Sequence, residues 1–297
     1  MSNPWPFALQ SAGPAARRWR WELRGGRGLE LGGRTVIMGI VNVTPDSFSD
    51  GGRHFDRRAA VEHGLRLAEE GAGIVDVGGQ STRPGSAEVP LDEELDRVLP
   101  VIEGIRAASP VAVSVDTYRA DVARRALAAG ADIVNDISAF RFDAGMLALL
   151  AETGAPAVAM HIRGTPRDMQ RDPRYADVVG EVAGHLREAV ERAERAGVRR
   201  ERLAVDPGIG FGKTLEHNLE LLRNLPAIRE LGCPVAVGAS RKAFIGSVLG
   251  QSEPAARLEG TLAVTALAAA AGADIVRVHD ACANLRAARM AEAVVGR

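Results

Sequence analysis

Gly71-Ala-Gly-Ile-Val-Asp76 returns as Gly130-Ala-Asp-Ile-Val-Asn135 and again as Gly272-Ala-Asp-Ile-Val-Arg277. Each copy leads from a glycine suited to closing a helix into a short apolar run with a polar residue at its end. Recurrence of this kind marks a repeated helix-to-strand module. From Thr35 onward the same rhythm continues, with eight apolar runs: Val36–Val43, Ile74–Val77, Val111–Val115, Ile133–Val134, Ala157–Met160, Leu203–Val205, Val235–Val237 and Ile275–Val278. Short β-branched runs without polar alternation are what parallel strands buried on both faces require. Between them apolar residues recur every three to four positions, as in Leu91, Leu95, Val98, Leu99, Ile102 and Ile105, or Val178, Val182, Leu186, Ala189, Val190 and Ala193. That is the period of a helix with one buried face. Gly71, Gly130 and Gly197 sit where C-caps belong. Eight such units predict a closed (β/α)8 TIM barrel. An open doubly wound sheet would show fewer strands or a phosphate fingerprint after the first. Gly208-Ile-Gly-Phe-Gly-Lys213 matches neither the dinucleotide fingerprint nor the P-loop spacing.

The first 34 residues follow another pattern. Trp19, Trp21 and Leu23 alternate with Arg18, Arg20, Glu22 and Arg24; Gly25, Gly26 and Gly28 supply a turn, and Leu29 and Leu31 alternate again. A period of two on either side of glycines predicts a β-hairpin. The expected organisation is an N-terminal extension over residues 1–34, with the hairpin plugging one end of a barrel over residues 35–297. All three tryptophans, including Trp5, lie in the extension. Its Arg-Trp alternation is no nucleic-acid or membrane surface, because no wider basic field surrounds it.

The 297 residues hold 37 Lys and Arg against 38 Asp and Glu, a formal net charge of −1. A general polyanion binder is more basic, so no nucleic acid is expected and any phosphate must be held locally. Cys233 and Cys282 form no CxxC pattern, and we read both as buried thiols in a reducing compartment. Thr261 to Ala273 is the longest uncharged stretch and too short to span a bilayer. Met1 to Gln10 lacks the basic start and apolar run of a signal peptide. A cytoplasmic enzyme away from membranes is the expectation.

Barrel enzymes work at the C-terminal ends of their strands, so the residues that follow each run are the candidates. They are Asn42 with the Thr44–Gly52 segment; Asp76 with Gly78–Pro84; Ser114 and Asp116; Asn135 and Asp136; His161; Asp206; Ser240 to Lys242; and Arg277, His279 and Asp280. Asp116, Asn135 and Asp206 offer acceptors to a flat heterocycle rich in N–H edges. Lys242 can donate to a ring carbonyl or nitrogen. Arg277 and His279, with Asn42 nearby, suit a phosphate or pyrophosphate. Ser240, ahead of a helical stretch from Lys242 to Leu249, suits a carboxylate. Asp206 before Pro207-Gly208 also reads as a turn residue, and Asn135-Asp136 as an Asx-turn. His161 reads rather as a core residue bonded to a neighbouring backbone. His54, His63, His185 and His217 read as surface groups. Thr44–Gly52 and Gly79–Gly85 read as mobile lids.

At these residues the chain resembles the dihydropteroate synthase family. Met38-Gly-Ile-Val-Asn-Val-Thr-Pro-Asp-Ser-Phe-Ser-Asp-Gly-Gly52 resembles the first signature and Asp76-Val-Gly-Gly-Gln-Ser-Thr-Arg-Pro-Gly85 the second. Ser114–Thr117, Asn135–Ile137, Asp206–Lys213, Ser240–Lys242 and Arg277–Asp280 follow in the family's order. The resemblance implies a pterin-binding enzyme of folate biosynthesis that joins 4-aminobenzoate to 6-hydroxymethyl-7,8-dihydropterin diphosphate and releases pyrophosphate. Carried over, Asp116, Asn135, Asp206, Lys242 and Arg277 would hold the pterin. Asn42 would bind Mg2+, and Asn42, Arg277 and His279 the pyrophosphate. Phe48, Thr82, Arg83 and Pro84 would enclose aminobenzoate, with Ser240 on its carboxylate. Asp116, Lys242, Arg277 and His279 would carry catalysis, in a homodimer whose partners are otherwise its small-molecule substrates.

One position departs: the second signature usually reads Gly-Gly-Glu-Ser, and here it is Gly78-Gly79-Gln80-Ser81. Two other readings compete. A methyltetrahydrofolate-binding methyltransferase would have a similar pocket but no use for the two long loops. A non-enzymatic pterin-binding paralogue would explain a lost carboxylate at Gln80.

Overall fold

The computed structural model describes residues 17–44 and 52–297. Two strands, β1 (Trp19–Glu22) and β2 (Gly28–Leu31), pair antiparallel with Trp19 opposite Leu31. The strands β3 (Val36–Asn42), β4 (Ile74–Gly78), β5 (Ala112–Asp116), β6 (Ile133–Asp136), β7 (Ala157–Met160), β8 (Leu203–Asp206), β9 (Ala236–Gly238) and β10 (Ile275–Val278) follow. The helices are α1 (Gly52–Glu69), α2 (Leu91–Ala108), α3 (Ala120–Ala129), α4 (Met146–Thr153), α5 (Val178–Arg195), α6 (Leu215–Arg223), α7 (Leu225–Arg229), α8 (Ala243–Leu249), α9 (Leu258–Ala270) and α10 (Ala281–Val295). The eight later strands are all parallel in the order β8-β7-β6-β5-β4-β3-β10-β9, and a parallel bridge from Val205 to Val235 joins the two ends. This is the expected (β/α)8 barrel with its hairpin, and the strands lie within two residues of the expected bounds.

The helix repeats end as their glycines dictate. Gly130 stands at φ 120° after α3, and its N–H returns to the carbonyls of Ala126 and Leu127; only glycine takes that backbone without strain.

Two apolar cores sandwich the strands. The outer one packs the helices against Val75, Val77, Val113, Val115, Val134, Val205 and their like. The inner one takes one residue from each barrel strand: Met38, Ile74, Ala112, Ile133, Val158, Ala204, Ala236 and Ile275, closed from below by Trp21, Leu23 and Leu31. Side chains alternate along a strand. Counting two residues onward from this floor therefore reaches Asp76, Ser114, Asn135, Asp206 and Arg277, and a further two reach Asn42, Asp116 and His279. The apolar floor thus sets which polar residues face the barrel axis.

The hairpin is bound into that floor. Trp21 is fully buried, and its indole N–H donates to the Glu201 carbonyl at 2.9 Å. Arg27 and Arg106 both pair with the buried Asp132, at 2.5 and 2.6 Å. Trp21→Ala removes the largest side chain of the seal and should cost about 3–5 kcal/mol of stability. Urea denaturation showing a loss below about 1 kcal/mol would mean that the hairpin does not seal the barrel.

Cys233 is buried as expected, whereas Cys282 is only half-buried on α10. Among the described residues no helix is long and apolar enough to cross a membrane.

Candidate active site

Arg277, at the third position of β10, organises the centre. Its Nε donates to Asp76 Oδ2 and its Nη2 to Asp116 Oδ2, both at 2.6 Å. Asn135 Nδ2 donates to the same Asp76 oxygen at 3.1 Å. Asp116, Asn135 and Arg277, three of the residues expected to hold the pterin, thus come together through a fourth, Asp76. Asp76 stands at a strand end, where the sequence alone assigns it no role. The signal was available: two residues beyond Ile74 of the floor, it must face inward. Asp76 Oδ1 and Ser114 Oγ are buried without a partner among the described atoms, so this layer keeps hydrogen-bonding capacity for a ligand.

Burial pushes the Asp116 carboxyl up to about 7, against the pull of Arg277. Burial works against the Arg277 charge too, but Asp76 and Asp116 outweigh it and hold its pKa above the usual value. Lys242 is pushed down to about 7 by burial, with Asp206 opposing. Asp206 is raised by burial, and its Oδ1 accepts from the Gly208 N–H at 2.7 Å. Asp206 is therefore both turn residue and inward acceptor. Lys242 caps α8, donates to the Ile209 carbonyl, and lies 4.3 Å above the Phe211 ring centroid. Phe211, which sequence reasoning passed over, belongs with Ile137, Met160, Ile162 and Met169 in an apolar cluster at this end of the barrel.

Ser240 and His279 form the other side. The His279 backbone N–H donates to Ser240 Oγ at 3.3 Å, and Ser240 Oγ lies 3.0 Å from His279 Nδ1. Where the Ser240 hydroxyl donates to Nδ1, the neutral ring carries its proton on Nε2 and can donate from there. Burial, then Arg277 and Arg241, bring His279 down to about 4, so it donates as a neutral ring at pH 7. Arg83 from the second loop also acts on His279, which places its charge on this side. Between Ser240 and Lys242, Arg241 takes φ 58°, a strained backbone for a non-glycine, and forks onto Asp280 at 2.6 and 3.1 Å. That strain turns Arg241 to Asp280 while its neighbours keep the site.

Asn42 ends β3, half-buried, in register with Gly78. Thr82 is half-buried and Arg83 and Pro84 are exposed on the loop after β4. Phe48 lies outside the described residues. Asp136 is structural: its Oδ1 accepts from the Ser138 N–H and hydroxyl, both at 2.7 Å, the expected Asx-turn. His161 is buried and accepts from Lys213 Nζ at 3.0 Å. Burial holds the pKa of both groups well below their usual values. His185 is not a free surface group: its ring packs edge-on against His161 at 4.8 Å.

Gln80 Nε2 donates to the Tyr118 hydroxyl at 2.9 Å, and that hydroxyl donates to Glu88 Oε1 at 3.0 Å. Glu88 pairs with Arg119 at 2.8 Å, and Arg119 with the buried Glu94 at 2.9 Å. The amide thus ties the base of the second loop to α2 and α3. Gln80→Glu puts an acceptor where a donor stood, so the one Tyr118 proton must serve two carboxylates. A charge-assisted bond is roughly twice a neutral one. We expect the native protein to be active and Gln80→Glu to change kcat by less than about tenfold, or ~1.4 kcal/mol. An inactive native protein revived by that substitution, in steady-state kinetics, would make the carboxylate essential.

Residues 38–279 match the family model described as pterin binding enzyme. The dihydropteroate synthase of Synechocystis is 48% identical over 265 residues, covering 89% of this chain and 92% of that protein. The Escherichia coli enzyme of the same name is 47% identical, covering 87% and 91%. The structure of Xanthomonas albilineans dihydropteroate synthase with 4-aminobenzoic acid superposes with a TM-score of 0.88 at 48% identity, covering 94% of this chain and 98% of that one. The same organism's enzyme in complex with 7,8-dihydropteroate gives 0.84 at 46% identity, covering 93% and 98%. These likenesses do not favour a methyltransferase or a non-enzymatic paralogue. The chain belongs to the dihydropteroate synthase family of pterin-binding transferases.

Proposed function

We propose that this enzyme joins 4-aminobenzoate to 6-hydroxymethyl-7,8-dihydropterin diphosphate, forming 7,8-dihydropteroate and pyrophosphate in folate biosynthesis. The observation that carries the reading is the buried Asp76–Arg277–Asp116 ion cluster with Asn135, Asp206 and Lys242 around it. Its acceptors suit the N–H edges of a pterin, and its unused guanidinium N–H groups suit a leaving phosphate. The carbon–oxygen bond of the methylene breaks and its electron pair leaves with pyrophosphate, steadied by Arg277 and by the neutral Nε2–H of His279. The methylene turns cationic, and ionised Asp116 stabilises it through the ring. The aniline nitrogen supplies the pair for the new carbon–nitrogen bond and then loses a proton to solvent. No covalent enzyme intermediate is needed.

Among the described residues no cluster of three His, Cys, Asp or Glu side chains can hold a metal. Asn42 offers a single amide oxygen. That donor set fits a cation that arrives with the diphosphate and keeps phosphate and water ligands, rather than a resident metal centre. Mg2+ would be held by Asn42 and the substrate, and when bound it supplies charge neutralisation on the leaving side. Thr82, Arg83, Pro84 and Phe48 enclose aminobenzoate in this reading, with Ser240 toward its carboxylate.

The reading extends to a homodimer. Val248 and Leu249 of α8, Leu267 of α9, and Met290 and Val294 of α10 are large apolar side chains left in the open, and α9 packs against both of its neighbours. Exposed apolar groups gathered on adjoining helices mark an interface. The buried free thiol of Cys233 suits the cytoplasm.

Pyrophosphate release in the presence of both substrates and Mg2+ tests the function; release with neither substrate dependence nor dihydropteroate formation would reject it. Binding should also be ordered. Aminobenzoate is enclosed by loops that close over pterin and pyrophosphate, so calorimetry should show tight aminobenzoate binding only with both present. Equally tight binding to the bare protein would reject the order.

A further inference from the structure

The turn from Gly208 to Lys213 carries four successive carbonyls that accept from side chains, three of them from other parts of the molecule and one from Lys213 of the turn itself. Lys242 Nζ donates to Ile209 O, Gln170 Nε2 to Gly210 O at 2.8 Å, Lys213 Nζ to Phe211 O at 2.9 Å, and the Tyr175 hydroxyl to Gly212 O at 2.9 Å. The Gly210 N–H donates to Asn218 Oδ1 at 2.6 Å. Alternate glycines make the arrangement possible. Gly208, Gly210 and Gly212 stand at φ 67°, 83° and 64°, and a Cβ on them would meet His161 O at 1.8 Å, Lys242 Cδ at 2.8 Å and Arg163 O at 2.6 Å. The turn is thus pressed onto the end of β7 on one side and onto the Lys242 stem on the other.

Two of the four donors, Gln170 and Tyr175, come from the long connection between β7 and α5, which has no part in the chemistry proposed above. Tyr175 is itself held: the Arg163 guanidinium lies 4.0 Å over its ring, and His217 meets it edge-on at 4.9 Å. The same connection reaches the second substrate loop, where the Gly85 N–H donates to Pro166 O at 3.0 Å.

We propose that Gln170 and Tyr175 are positioning residues for the pterin: by fixing the Gly210 and Gly212 carbonyls they hold Phe211 and the Lys242 ammonium in the geometry that receives the ring. The proposal rests on the pterin reading of the Lys242 site. Without the two bonds the turn regains freedom, and Lys242 loses both its carbonyl anchor and the face of Phe211 at a defined place. Each neutral bond removed should cost roughly two- to tenfold in affinity.

A double-mutant cycle tests this, with 6-hydroxymethylpterin as the calorimetric probe. Tyr175→Phe keeps the ring and removes only the hydroxyl, and Gln170→Ala is made at an exposed position, so thermal melting should stay near native for both. The combined variant should bind the probe about tenfold more weakly and raise KM for the pterin substrate by a like factor, with kcat changed less than about threefold. In a Lys242→Ala background the same two changes should cost less than about fivefold, because part of their effect passes through Lys242 and only the rest through Phe211. Unchanged affinity in the combined variant overturns the proposal, and so does the full loss persisting in the Lys242→Ala background. Lys242→Ala binding the probe as tightly as native protein instead overturns the pterin reading beneath it.

Discussion

Replacing Arg277 by lysine is expected to lower kcat/KM at least about a hundredfold while leaving the protein folded. The guanidinium spends its Nε–H on Asp76 and one Nη2–H on Asp116, each at 2.6 Å, and among the described residues these are the partners of two of its five N–H groups. Lysine keeps the charge but brings one compact ammonium, which cannot reach two carboxylates and a leaving phosphate together. Keeping a cation matters for the test. A neutral residue would strand Asp76 and Asp116 in the interior, at a cost of about 3–5 kcal/mol, and a dead protein would then say nothing about catalysis. Loss of one positioned donor at a developing anion costs about a hundred- to a thousandfold in kcat, and here the acceptor side is disturbed as well. Steady-state kinetics decides it, with thermal melting as the control for folding. A folded Arg277→Lys protein within about threefold of native activity would remove Arg277 from the leaving-group side.

The same residues show why most of this site was legible before any coordinates. A parallel strand buried on both faces has no polar residue without a reason, so the ends of eight β-branched runs could be searched directly. Asp116, Asn135, Asp206, Lys242, Arg277 and His279 all came from that search. What escaped was what depends on pairing across the chain. Asp76 holds Arg277 across 201 positions and Asn135 across 59, and no local pattern announces either. Glu94 sits in the acidic first turn of α2, where a carboxylate normally faces water and favours the helix dipole. It is buried instead, because Thr117 and Arg119 on the next βα connection reach it at 2.7 and 2.9 Å. His185 looked like a surface group for the same reason: its neighbour His161 lies on another element. Local period locates a side chain's face; it is silent about which partner waits there.

The charges at this centre are arranged at some expense to stability, which is where function is expected to reside. Three carboxylates (Asp76, Asp116 and Asp206) share a small volume with Arg277 and Lys242. Burial raises Asp116 and Asp206 and lowers Lys242. None of these shifts helps the empty protein fold; a bound pterin that hydrogen-bonds the charged forms would recover part of that cost. The floor of Met38, Ile74, Ala112, Ile133, Val158, Ala204, Ala236 and Ile275 beneath them is uniformly apolar, and burial of this layer offsets the cost of the charged one above it.

Lys242→Ala is expected to weaken pterin binding roughly ten- to a hundredfold, since a hydrogen bond to a charged group is worth about 1.5–3 kcal/mol. It should also change the shape of the pH profile. The free-enzyme ionisations appear in kcat/KM for the pterin substrate. Asp116, raised by burial to about 7, is charged only above that pH; Lys242, lowered by burial to about 7, is charged only below it. A reaction that needs the Asp116 carboxylate for the cation and the Lys242 ammonium for the ring therefore peaks near pH 7, with an acid limb from Asp116 and an alkaline limb from Lys242. Removing Lys242 leaves the acid limb and abolishes the alkaline one. Profiles taken from about pH 5.5 to about pH 9 on both proteins separate the roles, because a lysine that merely supported the turn would lower the whole curve and leave its shape alone. An alkaline limb that survives in Lys242→Ala, or calorimetry with unchanged pterin affinity, would take Lys242 out of the site.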